Sequence, residues 1–305
     1  MWATTSYYNP AHYKRRLTTY KGFREKLGIP LVTVELSFDG RFELTEKDAD
    51  VLIQVSGGAV LWQKERLLNV ALKSVPPHVK NIAWIDCDLI FERTDWANEA
   101  EEKLEKFNLV QLFSDIVDLN QQQHELTIDC RAAPASGQGV AGLVSRKQIE
   151  AAALLEQVAQ ARSKCVGFAW AARREILEKH GLYDAMVVGG GVRALAAAMY
   201  GQFETLIKVY QLNNARRDHY LKWARPYHQA VGESIGYVDG RLYHLWHGDA
   251  KDRKYSERHR WFANFDFDPD VDLVVRANGA WQWARPRPDL EEFFGNYFMG
   301  RAEDG

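Results

Sequence analysis

A chain of 305 residues suffices for one large domain or two small ones, and a compact fold of that size buries roughly 75% of its unfolded surface, so the core needs no staples. Apolar residues make up 46% of it and the formal net charge is −2, which excludes a global basic field aimed at nucleic acid or anionic membrane and leaves only local patches. Cys87, Cys130 and Cys165 are odd in number and lack metal or redox spacing. With no signal pattern at the start and no apolar run near the ~18 residues that span a bilayer, they are expected to be buried thiols of a cytoplasmic protein.

Residues 2–8 form an expected first strand, ended by Asn9-Pro10, and residues 13–27 a basic helix closed by Gly28 and Pro30. Strands are expected at 31–36 and 49–55, separated by a turn at 38–42, and an apolar-periodic helix at 60–72 is stopped by Pro76-Pro77. Then Asn81-Ile82-Ala83-Trp84-Ile85 runs into Asp86-Cys87-Asp88. In an extended strand the i, i+2 spacing puts both carboxylates on one side, with Cys87 turned away. Two such anions repel unless a cation sits between them, and a hard divalent metal sharing its ligands with a substrate diphosphate fits. Strands alternating with helices over the first ninety residues imply a largely parallel sheet, whose strand ends are the usual ligand edge.

Beyond the motif, a charged helix is expected at 99–106 and a buried strand at 109–113. Residues 115–131 are poorly patterned, 134–142 have loop chemistry, and 148–163 read as an Ala-rich helix. A strand then feeds a short helix closed by Gly181, ahead of Leu182-Tyr183-Asp184. Gly189-Gly190-Gly191 opens another helix, where free amides hold anions and glycine admits a close substrate. The run 216–228 is basic and aromatic. Residues 241–247 are an apolar-aromatic strand carrying His244 and His247, followed by Gly248 and the cations Lys251, Arg253 and Arg258. Three apart on a strand, the two histidines are expected to face opposite ways, and Gly248 favours His247 as the functional one.

Three of these blocks, in this order and spacing, resemble the GT-A-fold, nucleotide-sugar-dependent glycosyltransferases of the Asp-x-Asp, family 2-like type: the strand with Asp86 and Asp88, the 167–184 segment, and His247-Gly248. The resemblance implies a GT-A (Rossmann-like) three-layer αβα sandwich with a mostly parallel central sheet. The catalytic domain is expected at 1–258, with a nucleotide-binding half near 1–115 and an acceptor half near 116–258; residues 259–305 form an extension packed on it. It further implies a Mn²⁺ (or Mg²⁺) site of Asp86, Asp88 and His247, the imidazole favouring Mn²⁺. Donor contacts are implied for Tyr7, Lys64, Asn69, Asp86, Lys251, Arg253 and Arg258, the lysine and asparagine through a Lys-x-x-x-x-Asn helix. An acceptor loop is implied at Trp170, Gly189, Gly190 and Gly191.

Inverting relatives carry an acidic base at the start of the helix after that loop, where this chain has Val192. Asp184 is the nearest replacement; a retaining reaction or an impaired, binding-only protein are the other outcomes. The expected activity is transfer of a sugar, from a UDP-sugar first of all, to a hydroxyl on a glycan, lipid-linked sugar, protein or modified DNA base. The last would be a hydroxymethylated pyrimidine of phage type, met by the 216–228 run. An HAD-like phosphatase also opens on strand-Asp-x-Asp, but usually near the chain start and with Thr or Val where this chain has Ile90.

Overall fold

The computed structural model describes residues 1–123, 128–155 and 164–305. In its first half, strands β1 (Trp2–Tyr8), β2 (Leu31–Ser37), β3 (Val51–Ser56) and β4 (Asn81–Ile85) alternate with helices α1 (Lys14–Lys26) and α2 (Lys64–Leu72). There follow β5 (Leu89–Phe91), α3 (Trp96–Leu104), β6 (Leu109–Gln111), β7 (Asp115–Asp118), α4 (Ile128–Ala132), β8 (Gly137–Gly139) and α5 (Val140–Ser145). After β9 (Lys164–Cys165) and β10 (Ala169–Arg173) come four helices: α6 (Arg174–His180), α7 (Gly191–Met199), α8 (Phe203–Val209) and α9 (Asn214–Val231). The chain closes with β11 (Ile235–Tyr237), β12 (Arg241–His244), α10 (Glu257–Phe262), α11 (Pro269–Asp272), the hairpin β13 (Leu273–Val275) and β14 (Trp281–Trp283), and α12 (Pro288–Met299).

Seven strands make the central sheet in the order β11-β6-β10-β4-β1-β2-β3, with β10 antiparallel to both its neighbours and the other pairs parallel. Every residue of β2 is buried, as a strand covered on both faces requires. The pleat sorts the side chains: Val32, Val34, Ile82 and Trp84 join the core under α2, while Leu31, Ala83 and Ile85 join the core under α1 and α3. The result is an α/β sandwich with helices on both faces of a mostly parallel central sheet, the architecture expected from the sequence. Hydroxyls reinforce the middle of the sheet, Thr4 donating to the Ala83 carbonyl (3.0 Å) and Thr5 to that of Ile85 (2.7 Å).

A second sheet, β5-β12-β7-β8-β9, stands beside the first. The chain crosses between them once it leaves β4: Asp86-Cys87-Asp88 is not extended but a turn linking β4 of one sheet to β5 of the other. Residues 259–305 fold back onto the α2 side, where Phe262, Phe267, Trp283, Phe294 and Phe298 share one buried cluster with Trp84 and Leu67.

Several elements differ from the sequence reading. Helix α2 starts at Lys64 rather than residue 60, because Gly57 and Gly58 turn at positive φ and the Trp62 amide donates to the Val187 carbonyl. β7, β8 and α5 occupy stretches with no strand or helix pattern; β7 exists through its pairing with β12. Of the Ala-rich helix expected at 148–163, residues 151–154 form a single 3-10 turn, and 156–163 lie outside the described residues.

Candidate active site

A cavity of about 640 Å³ opens at the carboxyl ends of β1 and β4, lined among others by Ser6, Tyr8, Asp86, Cys87, Asp88 and Phe168. This edge is where α/β sheets leave side chains and amides free for a ligand. The turn separates the two carboxylates. Asp86 is ion-paired with Lys64 from the first turn of α2, whereas Asp88 points to the second sheet. Burial works against the Lys64 ammonium, yet Asp86 and Glu65 beside it outweigh that and raise its pKa. The Asp86 amide donates to the Phe168 carbonyl (2.9 Å), and Phe168 holds a positive φ of 72°, a strained conformation for a bulky residue that turns its ring edge-on to His244.

Asp88 meets two histidines. Its Oδ2 lies 2.9 Å from His247 Nε2 and 3.8 Å from His244 Nε2, and the two Nε2 atoms are 3.2 Å apart. Strand pairing explains the meeting: β12 registers His244 against Leu89, and the Leu245 amide donates to the Asp88 carbonyl. Because β12 ends at His244, the alternation of strand side chains stops there and His247 turns back to the same side. The expectation of opposite faces therefore fails, and His244, passed over in the sequence, joins the group. Its other nitrogen, Nδ1, is 2.8 Å from Asp118 Oδ1, the outer carboxylate that commonly orients a metal-binding imidazole.

The group fits a divalent cation on its own chemistry. Ligand atoms of Asp88, His244 and His247 lie within 4.8 Å of one another, and the buried Asp88 Oδ1 has no hydrogen-bond partner among the described residues. Burial, then the charge of Arg253, pushes the His247 imidazole down to about 3, although Asp88 pulls the other way; it is neutral, with a lone pair to offer. Asp86 stands outside this cluster, held by Lys64.

Opposite lies a cationic wall. Arg253 and Arg258, both buried, line the cavity with Arg16 and Arg301, which the sequence reading missed. Arg258 reaches the Tyr297 hydroxyl (2.5 Å), and with Arg301 it lies over the Trp62 ring (5.4 and 5.3 Å). Arg253 donates to the carbonyls of His247 (3.3 Å) and Gly248 (3.1 Å). The Nε atoms of Arg253 and Arg258 have no partner among the described residues. Glu303 anchors the wall from behind, 2.6 Å from Arg16 Nε and 2.5 Å from Arg301 Nε. Gly248 is glycine for a reason other than phosphate approach: a Cβ there would fall 2.9 Å from the Arg301 carbonyl and 3.0 Å from that of Ala302. Distance along the chain hides this contribution of residues 301–303.

Other sequence candidates fall elsewhere. Tyr7 is buried and donates to Glu43 (2.7 Å), and Trp170 is core, its indole donating to the Val166 carbonyl; neither lines the cavity. Lys251 lines the cavity but is exposed and 3.5 Å from Asp249. Asn69 brackets Leu182 with two hydrogen bonds of 2.8 Å, and with Arg66 it holds Asp184 Oδ2 at 3.0 Å. Asp184 is thus bound into a junction between α2 and the 182–184 turn and is absent from the cavity lining. Replacing Asn69 by alanine should therefore cost about 1–3 kcal/mol of stability in denaturant titration, by orphaning buried groups, and leave divalent-metal affinity unchanged. A loss of metal affinity at full stability would contradict that placement.

Of the glycine loop, Gly190 lines the cavity at φ 86°, while Gly189 backs against Arg258 and Gly191 against Glu65. Val192 also lines it. Burial and then Asp88 push the half-buried Cys87 thiol up to about 12, which disfavours the thiolate; Cys130 and Cys165 are buried.

Neither family models nor curated proteins match this chain. Among solved structures, it is similar to TarS from S. aureus, at 11% identity and a TM-score of 0.40, covering 88% of this chain and 40% of that one. A mannosyltransferase from Pyrobaculum calidifontis, solved with GDP-Man and Mn²⁺, matches at 13% identity and a TM-score of 0.36, covering 75% of this chain and 73% of its own. The catalytic domain of Drosophila β1,4-galactosyltransferase 7 matches at 10% identity and a TM-score of 0.38, covering 96% and 98%. Likenesses this distant leave the functional reading to the geometry of the site itself.

Proposed function

We propose that this protein transfers a sugar from a nucleotide-sugar donor, a UDP-sugar first of all, to a hydroxyl acceptor with the help of a divalent cation. One observation carries the reading. An Asp88–His244–His247 cluster and five arginines (Arg16, Arg193, Arg253, Arg258 and Arg301) line a single cavity at the carboxyl edge of a mostly parallel sheet. A leaving nucleoside diphosphate concentrates negative charge, and preorganised cations facing it stabilise the transition state more than the ground state. When bound, the metal supplies further neutralisation of that charge, and two imidazoles with one carboxylate favour Mn²⁺ over Mg²⁺. Arg253 is positioned by its bonds to the His247 and Gly248 carbonyls and Arg258 by its bond to the Tyr297 hydroxyl. Lys64, paired with Asp86, fixes the turn that presents Asp88.

The acceptor is a hydroxyl on a glycan, a lipid-linked sugar, a protein or a modified base. The DNA reading calls for a positive groove and base stacking by the 216–228 run, but Tyr220 and Tyr227 of that run are fully buried in α9, which leaves it few stacking faces. No helix of the described residues is long and apolar enough to cross a membrane.

A panel of UDP-, GDP- and TDP-sugars with Mn²⁺, scored by calorimetric binding and by release of nucleoside diphosphate, is expected to give one donor that binds and is hydrolysed slowly. Failure of every donor to bind overturns the proposal. Phosphate release from p-nitrophenyl phosphate without any donor would replace it with the phosphatase reading.

A further inference from the structure

The start of α7 lacks an acid of its own, yet a carboxylate stands there. Glu65, in the first turn of α2, is 3% exposed and lines the cavity. Its carboxyl packs on Gly191, the first residue of α7, so closely that a Cβ at Gly191 would fall 2.7 Å from Oε2 and nearer still to the rest of the group. Among the described residues, its carboxylate has no ion pair and no hydrogen bond from another residue. A buried carboxylate without a partner is costly, and such a group facing a cavity is poised for a substrate proton.

We propose that Glu65 is the general base that accepts the proton of the acceptor hydroxyl, so that transfer is a single displacement with inversion at the anomeric carbon. The acceptor oxygen bonds to that carbon while the bond from the carbon to the diphosphate oxygen breaks. The electron pair leaves on the diphosphate, and the hydroxyl proton passes to a Glu65 carboxyl oxygen. Gly191 is glycine because the Glu65 carboxyl occupies the space of its side chain, and Val192 forms the apolar wall beside it.

The electrostatics suit the role. Burial raises the Glu65 carboxyl to about 7; Lys64 opposes the shift, while Asp86 and Asp184 add to it. Tyr8 and Tyr210 also feel its charge, and burial raises the pKa of both, so they stay neutral. A base near the operating pH combines a sizeable ionised fraction with useful basicity.

The proposal rests on the donor-dependent reading above, and the experiment separates the two. Donor binding (UDP-glucose, UDP-galactose and GDP-mannose with Mn²⁺) and donor hydrolysis, with water as acceptor, are measured across pH 5–9 for wild type, Glu65→Gln and Gly191→Ala. Glu65→Gln is expected to bind donor within about twofold of wild type, to lose roughly 10²–10⁴-fold in turnover, and to lose the limb of the pH profile near neutrality. Gly191→Ala, which displaces the carboxyl, should lower turnover in the same direction with donor affinity kept. In Glu65→Ala, added formate should restore part of the rate, which a structural role would not allow. Equal turnover and pH profile in Glu65→Gln, or a product of retained configuration by NMR, overturns the Glu65 assignment and leaves the donor reading standing. A wild type that binds a donor and turns none over also overturns the assignment. Absence of donor binding in every protein overturns both.

Discussion

Asp88→Asn is expected to lower donor turnover by roughly 10²–10⁴-fold, because charge neutralisation by a bound cation contributes several kcal/mol to such a transition state and each 1.36 kcal/mol is tenfold in rate. Amide for carboxylate keeps the volume of the side chain between His244 and His247 while removing the anionic ligand. Mn²⁺ affinity by calorimetry should fall in parallel. Asp118→Asn, which acts on the metal group through the far nitrogen of His244, should cost less, about 10–100-fold in metal affinity. That order is the informative outcome. Unchanged Mn²⁺ affinity in Asp88→Asn would remove the cluster as a metal site, and a larger loss in Asp118→Asn would move the site toward that residue.

Glu303→Gln should destabilise the protein by about 3 kcal/mol at neutral pH. The residue is fully buried between Arg16 and Arg301, and removing one partner of such an arrangement typically costs about 3–5 kcal/mol. Despite burial, the two guanidiniums hold the Glu303 carboxyl far below its usual pKa. A depressed folded pKa means that the stabilisation is fully present above the unfolded value, ~4.3, and drains away as pH falls below it. Denaturant titrations should therefore show a wild-type advantage that is constant near neutrality and shrinks in acid. Since Arg301 lines the cavity and Glu303 Oε1 is 4.0 Å from His247 Nδ1, donor affinity should fall with stability. A variant of wild-type stability would mean that the terminal segment is not held by this pair.

Much of the α/β order was readable because it is written locally. β1, β2 and the Asp-x-Asp strand announce themselves by apolar runs with turn residues at their ends, and α6 by its closing glycine at positive φ. What escaped was short and depended on partners. β7 and β8 have three or four residues each and no pattern that distinguishes them from loop; pairing makes them strands, β7 with β12 and β8 with β7 and β9. The start of α2 differs because the turns at Gly57 and Gly58 and tertiary hydrogen bonds of Trp62 and Gln63, to Val187 and Trp281, hold residues 60–63 out of the helix.

The sequence by itself determined the fold class and offered Asp88, His247 and a run of cations as candidates, because strand, turn and charge signals are properties of neighbouring residues; the pairing of Asp88 with His247 was implied only by the family resemblance. Only the tertiary structure decided how the ligands are shared out. It sends Asp86 to Lys64 and Asp88 to the histidines, because the motif is a turn between two sheets rather than one strand. It draws His244 in through the register of β12 on β5, binds Asn69 and Asp184 into a junction, and brings Arg301 and Glu303 round from the chain end. It also sets Glu65 against Gly191, 126 positions later in the chain. Contacts over such separations are fixed by packing and register, which one-dimensional spacing does not encode.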